Sequence, residues 1–272
     1  MLGRVNRRAS HSPPVVVFGT GGSGTRALQL LLDSAGYFMG TNVNRAGDAL
    51  DIGWFIRRWL DRYLARSEWV DKMWRGGQAG SFPHPASMAA DFRATIEDHR
   101  EAIGRPRARW GWKVPRTILI FPFVHEFLPE MRAIHLVRDG RDMAYSANQN
   151  QARRYAPRLF DRSEADSSAP IQSIGFWARV NLAAARYGEA ALGERYLRLR
   201  YEEVCADPAG MAAGLAGFLD SPTPPEVLEK VAVAEIRPSS SIGRWRERDA
   251  LEIAELEQAG GDALRAFGYL RA

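Results

Sequence analysis

The sequence predicts an α/β fold of three layers, α/β/α, with a central parallel sheet covered by helices on both faces. Two observations carry this. The first is the run Val15-Val16-Val17-Phe18-Gly19-Thr20-Gly21-Gly22-Ser23-Gly24-Thr25-Arg26. Its β-branched residues end in a glycine-dense turn, and Ala27-Leu28-Gln29-Leu30-Leu31-Leu32 then reads as a helix. The second is the alternation of short apolar runs with longer helical patterns, which implies parallel strands joined by crossover helices. With 272 residues and 46% hydrophobic content, the chain can fill one sizeable core. Residues 1–13 read as a disordered basic tail and 14–272 as a single domain.

The elements follow in order. The first strand spans 14–20 and the first helix 25–35, with Gly36 as its C-cap. Residues 52–75 place Phe55, Trp59 and Tyr63 on one helical face, with Arg57, Arg58, Arg62 and Arg66 in the same stretch. This reads as an amphipathic helix packed on the core with arginine stems lying along it. The alternative is a face that meets a membrane or a large acceptor. Further strands are expected at 109–113, 132–138 and 196–201, and helices at 118–129, 142–152, 171–191 and 209–219. Residues 147–170 are polar and arginine-rich, which suits a lid, a binding loop or disorder. Parallel sheets bind ligands beyond the carboxyl ends of their strands. The glycine loop, Lys113 and Arg138 all fall at such ends.

Composition narrows the function. A net charge of +5 favours an anionic ligand. The basic residues are dispersed, without zinc-finger spacing or an RNA-binding motif, so nucleic acid is not the expected partner. A single cysteine, Cys205, leaves no internal disulfide or cysteine metal cluster and reads as a small buried hydrophobe. No apolar run is long enough to span a bilayer. Met1–Arg8 is basic but lacks the apolar stretch of a secretory signal, so the cytoplasm is the expected compartment.

A strand, glycine loop and helix bind phosphate on backbone amides at the helix N-terminus. A Walker A loop also needs Lys and Ser/Thr after its second glycine. Here Gly19 and Gly24 have the spacing, but Thr25 and Arg26 occupy those two places. The loop therefore suits a phosphate and suits Mg-ATP poorly, which argues against a P-loop kinase of a nucleotide or small metabolite. A second phosphate motif follows the strand Ile134-His135-Leu136-Val137: Arg138 at the strand end and Ser146 eight residues on can meet around one phosphate. The competing reading pairs Arg138 with Asp139 or Asp142 to close the turn.

Together these motifs resemble the sulfotransferases that use 3′-phosphoadenosine 5′-phosphosulfate (PAPS). Ser23-Gly24-Thr25 matches the family's 5′-phosphosulfate loop, and Arg138 with Ser146 its 3′-phosphate motif. Val137-Arg138-Asp139-Gly140-Arg141 is closest to the tyrosylprotein and bacterial branches. Trp112-Lys113-Val114-Pro115-Arg116 resembles their Lys-x-Pro element, whose lysine steadies the transferring sulfuryl group. Leu199-Arg200-Tyr201-Glu202-Glu203, with Asp207-Pro208 and Phe218-Leu219 after it, resembles the Tyr-Glu-Asp-Leu…Asp-Pro…Phe-Leu segment. Ser241-Ile242-Gly243-Arg244-Trp245-Arg246 resembles the late loop that closes over the 3′-phosphate and adenosine.

The resemblance implies a P-loop NTPase-like fold and metal-free in-line transfer from PAPS to a hydroxyl of a carbohydrate, lipid or other metabolite. It implies a co-substrate site of Gly21, Gly22, Ser23, Gly24, Thr25, Arg26, Arg138, Ser146, Tyr201, Ser241, Ile242, Gly243, Arg244 and Trp245. Acceptor walls are expected from insertions near 40–90 and 147–175, with peripheral membrane contact left open. Many members carry Lys or Arg where this chain has Gly22. Arg26 and Lys113 are the expected replacements for that charge, and the alternative is a catalytically weak binding module.

The base is sought among carboxylates after the first helix, because Pro115 stands where one branch has a histidine. Asp48 is the choice, with a helix-capping role as its alternative. Asp51 reads as a cap. His135 reads as a packed core histidine, His84 and His125 sit in no motif, and His99 is a lesser alternative base. Tyr201 without the family match would be packing, and Trp245 either stacks on adenine or pins its loop.

Overall fold

Strand β1, Val15–Gly19, is fully buried and lies inside the sheet. Its side chains alternate between two separate apolar clusters: Val16 and Phe18 enter one, Val15 and Val17 the other. A strand buried on both faces must be covered on both, and this produces the three layers. The computed structural model describes residues 12–65, 84–104, 108–160 and 166–271. Beside β1 run β2 (Gly111–Lys113), β3 (Arg132–Val137) and β4 (Tyr196–Arg200), all parallel, in the order β2-β1-β3-β4. The chain steps from β1 to one side and then crosses to the other, so the crevice beside β1 is a switch point. Register places Val17 beside Lys113, Gly19 beside Leu136, and Val137 beside Arg200. The glycine loop, Lys113, Arg138 and Tyr201 therefore emerge along one edge.

On one face pack α1 (Arg26–Ser34), α8 (Tyr201–Ala206), α9 (Pro208–Leu219) and α10 (Pro225–Glu235). The other face carries α2 (Leu50–Leu64), α3 (Ala86–Glu101), α4 (Phe121–Phe127) and most of α7 (Ala169–Leu192). Phe55, Trp59 and Tyr63 of α2 are buried, as a core-packed helix requires, and the guanidinium groups of Arg58 and Arg62 lie 5.7 and 5.5 Å from the Trp59 ring. A third cluster joins α5 (Gly140–Ala144), α7 and α11 (Ala250–Ala266). Among the described residues no helix is long and apolar enough to cross a membrane.

Several element boundaries differ from expectation. Helix α2 ends at Leu64, and Arg66 with residues 67–75 lies outside the described residues. The segment 118–129 is a 3-10 turn (Pro115–Ile120) followed by α4, because Pro122 has no N–H to carry one ladder through. The expected helix at 142–152 is broken into α5 and α6 (Asn150–Tyr155). The Gln149 side-chain amide donates to the carbonyls of Met143, Ala144 and Ser146 at 2.8, 3.2 and 2.9 Å. It satisfies carbonyls at the end of α5 alongside the Ser146 N–H, which also donates to Met143 at 3.1 Å. Much of 147–170 is thus helical rather than irregular, with 161–165 outside the described residues. Of the expected tail, residues 1–11 lie outside the description. Ser12 is anchored: its hydroxyl donates to Ala108 and its carbonyl accepts from the Trp110 indole.

His135 is a core histidine. It is fully buried between Tyr196 Oη on Nδ1 (2.7 Å) and Asn181 Oδ1 on Nε2 (2.8 Å), an arrangement that suits the neutral ring. Burial pushes its pKa down to about 4. The unfolded chain, with its ordinary histidine, then binds the extra proton first as pH falls below 6.5. Stability should drop by up to ~3 kcal/mol between pH 6.5 and 4. Denaturant titrations of wild type and His135→Leu across that window should show the loss only in wild type.

Candidate active site

The loop after β1 turns through Gly22 (φ 95°) and Gly24 (φ 91°), both in the region that side chains disfavour. It delivers the chain to α1, whose N-cap residue Thr25 makes no side-chain cap bond. In the first turn of α1 the Ala27 N–H donates to the Gly24 carbonyl at 3.3 Å, while the Arg26 and Leu28 N–H groups have no intrahelical acceptor. The Tyr201 ring packs on Gly24 so closely that a Cβ there would lie 2.3 Å from it. Gly24→Ala should therefore displace the loop and abolish co-substrate affinity. Calorimetry with adenosine 3′,5′-bisphosphate (PAP) checks this. Gly22 lies against Ser146: a Cβ would come within 3.3 Å of the Ser146 Oγ. Glycine at this point is a requirement of the loop's path, not only a missing cation.

Arg138, at the end of β3, is 7% exposed. Its Nη2 donates to Ser241 Oγ at 2.7 Å, its guanidinium lies 4.9 Å from the Tyr201 ring, and its Nε has no partner among the described residues. Asp142 pairs with Arg138 at 3.7 Å, as the competing reading expected, and also accepts from the backbone N–H groups of Gly243 (2.8 Å) and Trp245 (3.3 Å). This buried carboxylate pins the late loop to the phosphate motif. The sequence offered Asp142 only as a partner for Arg138; its second role depends on contacts a hundred residues away. Arg244 donates to the Tyr145 carbonyl at 2.8 Å, and the backbone of Ser241–Trp245 sits over α5. Trp245 is held by guanidinium groups, with Arg141 3.7 Å and Arg246 4.6 Å from its ring. Its contacts are those of a residue that pins its loop. Arg141 is itself fixed by Asp139, Glu257 and the Tyr269 carbonyl.

Facing the glycine loop is a cleft of about 820 Å³ lined by Gly22, Thr25, Arg26, Asp48, Arg57, Arg116, Gln151 and Arg153 among others. Behind Asp48 lies Lys113, 1% exposed, which donates to the Ala46 carbonyl at 2.6 Å and to Asp48 Oδ1. The other Asp48 oxygen accepts from the Asn44 side chain at 3.1 Å. Burial lowers the Lys113 pKa, Asp48 opposes that shift, and the charge of nearby Arg26 adds to it. Three buried side-chain atoms near the loop, Ser23 Oγ, Thr20 Oγ1 and Gln151 Oε1, have no partner among the described residues. The Ser23 and Thr20 hydroxyls and Arg138 Nε can each donate to an anion, whereas Gln151 Oε1 can only accept.

Two expectations about α2 are corrected. Its N-cap is Ala49, not Asp51 or Asp48. Asp51 instead accepts from Ile52 N–H and pairs with His99 Nδ1 at 2.6 Å, while His99 Nε2 donates to the Gly111 carbonyl. Burial opposes ionisation of Asp51, but the His99 contact wins and its pKa is lowered. His99 is 2% exposed and holds α3 to α2 and β2, so it is not placed to act as a base.

The sulfotransferase family model matches residues 13–225. The chain belongs to the sulfotransferase family. Among solved structures it is similar in fold to a sulfotransferase domain from the Synechococcus PCC 7002 olefin synthase (TM-score 0.54, 15% identity, 98% of each chain covered). It is also similar to a sulfotransferase domain from the curacin biosynthetic pathway (TM-score 0.52, 14% identity, 97% of this chain and 100% of that one). A mouse sulfotransferase complexed with PAP is a third (TM-score 0.52, 12% identity, 94% and 85% covered). No curated protein matches the sequence. At these identities the structures speak for the fold, and family membership places the chain among enzymes of sulfuryl transfer. The matched segment includes the glycine loop, Lys113, Arg138, Ser146 and Tyr201 of this sulfotransferase; the late loop lies beyond it.

Proposed function

We propose that this sulfotransferase moves the sulfuryl group of PAPS to an acceptor hydroxyl, without a metal. One observation carries the reading. Two separate anion cradles, the glycine loop with α1 and the pair Arg138–Ser241, lie along one sheet edge, with an Asp48–Lys113 pair across the cleft. The 5′-phosphosulfate would rest on the amides of Gly22–Arg26 with Ser23 and Thr25. The 3′-phosphate would rest on Arg138, Ser146, Ser241 and Arg244, with Tyr201 beneath and Ile242 and Gly243 closing the loop. Arg26 supplies the cation that Gly22 lacks, and its exposed position on the cleft suits that role.

Sulfuryl transfer, like phosphoryl transfer, passes through a loose transition state whose charge spreads over equatorial oxygens. Catalysis is then mostly positioning and electrostatic stabilisation. The acceptor oxygen bonds to sulfur as the bond from sulfur to the bridging phosphate oxygen breaks. PAP departs with the electron pair, and the hydroxyl proton goes to Asp48. Lys113 orients that carboxylate.

Calorimetry with PAP in the presence of a chelator, followed by transfer of labelled sulfate from PAPS into a cell extract, tests the proposal. Binding without magnesium and a labelled product are expected. Absence of PAP binding would overturn it, and magnesium-dependent ATP turnover would replace it with a kinase.

A further inference from the structure

The cleft carries more positive charge than PAPS can use. Arg57 on α2 and Arg153 on α6 are exposed, and Arg116 after β2 is half-buried; all three line it. Among the described residues none of the three makes an ion pair or hydrogen bond. The two walls show why this is notable. Helices α2 and α6 are tied where Asp61 accepts from Arg154 at 2.6 Å and pairs with Arg158 at 3.2 Å. At that tie the protein supplies its own counter-charge. One helical turn closer to the start of α2, at Arg57, and one residue before Arg154, at Arg153, it supplies none. The remaining carboxylates near this wall are engaged elsewhere: Asp51 with His99, and Asp48 with Lys113.

Like charges gathered on a concave wall repel one another and raise the local concentration of anions. The anionic groups of PAPS are already accommodated by the glycine loop, Arg26 and the Arg138 cradle in the reading above. Arg57 and Arg153 fall in the segments, 40–90 and 147–175, expected to wall the acceptor, and Arg116 lines the same cleft.

Resting on that reading, we infer that the acceptor is itself an anion: a soluble molecule bearing a phosphate, sulfate or carboxylate group beside its hydroxyl. Arg57 and Arg153, with Arg116, are the residues that select it. Guanidinium groups grip such groups with paired N–H donors, which adds orientation to attraction. Holding the anionic group on this wall would turn the hydroxyl toward Asp48, whereas a neutral analogue would lose both attraction and orientation.

The test uses the full chain saturated with PAP and inositol hexakisphosphate as the polyanionic probe, with uncharged myo-inositol as its control. Calorimetry should show hexakisphosphate binding that weakens as salt rises, and none for myo-inositol. Arg57→Glu and Arg153→Glu should each weaken it ~10-fold or more while leaving PAP affinity unchanged. Arg186→Glu, the same change of charge on an exposed residue of α7 outside the cleft, should have little effect. The glutamine versions of Arg57 and Arg153 give a milder loss and guard against misfolding. Hexakisphosphate that does not bind, or binding weakened equally by Arg186→Glu, would overturn the inference. Failure of PAP itself to bind shows in a separate titration and would strike the sulfotransfer reading first.

Discussion

Arg138→Ala is expected to weaken PAP binding about 10- to 100-fold, the value of one lost set of hydrogen bonds to a charged group, ~1.5–3 kcal/mol. Arg138 is buried, points Nη2 at Ser241, and retains an Nε with no partner among the described residues. A phosphate in this cradle would meet donors already fixed in place, so little ordering cost offsets the interaction. Arg138→Lys should recover only part of the loss, because an ammonium cannot present two parallel donors. The loss should be confined to nucleotides with a 3′-phosphate. Calorimetry of PAP beside adenosine 5′-monophosphate separates that role from general damage. Equal weakening of both, or an unchanged PAP affinity, would remove Arg138 from the 3′-phosphate site.

Asp48→Asn should lower kcat by ~10²–10⁴-fold, the usual contribution of a positioned base, with PAP affinity preserved. Asparagine keeps the shape and an acceptor for Lys113 but cannot take the acceptor's proton. Asp48→Ala should do something different. It leaves the Lys113 ammonium, 1% exposed, with the Ala46 carbonyl as its remaining hydrogen-bond partner among the described residues. Breaking a buried pair costs ~3–5 kcal/mol. The partly exposed Asp48 reduces that, so a loss of ~1–3 kcal/mol is expected.

Its pH dependence identifies the cause. Burial already lowers the Lys113 pKa, and removing Asp48 lowers it further. The unfolded chain then binds more protons than the folded one between the lowered folded value and 10.5. Asp48→Ala should therefore regain stability relative to wild type as pH rises through that window. Thermal melts at neutral and alkaline pH measure it. An Asp48→Asn enzyme with wild-type kcat would end the case for Asp48 as base.

The glycine loop and the Arg138 turn were legible as motifs because their pattern is local. Strand, glycines and helix start within a dozen residues, and Arg138 precedes Ser146 by one short helix and a turn. Periodicity likewise placed the four strands and the core face of α2. Helices α3, α8, α10 and α11 were missed. The segment 142–152 was read as one helix because only the Gln149 side chain, bonded to three carbonyls, shows why α5 stops. Asp51 looked like a cap because aspartate often is one; the fold put His99, forty-eight residues later, against it.

By itself the sequence determined the layer order and the family, since each depends on residue type at short spacing. Tertiary structure alone decided what closes the glycine loop and the Arg138 turn. It seated Tyr201 on Gly24, made glycine necessary at position 22, and gave Asp142 the late loop to hold. It also buried Lys113 behind Asp48 and left Arg57 and Arg153 on the cleft without an ion pair among the described residues. Pairings of this kind depend on distance in space. Electrostatic balance is set by which charges the folded chain brings within a few ångströms, and no local pattern encodes that.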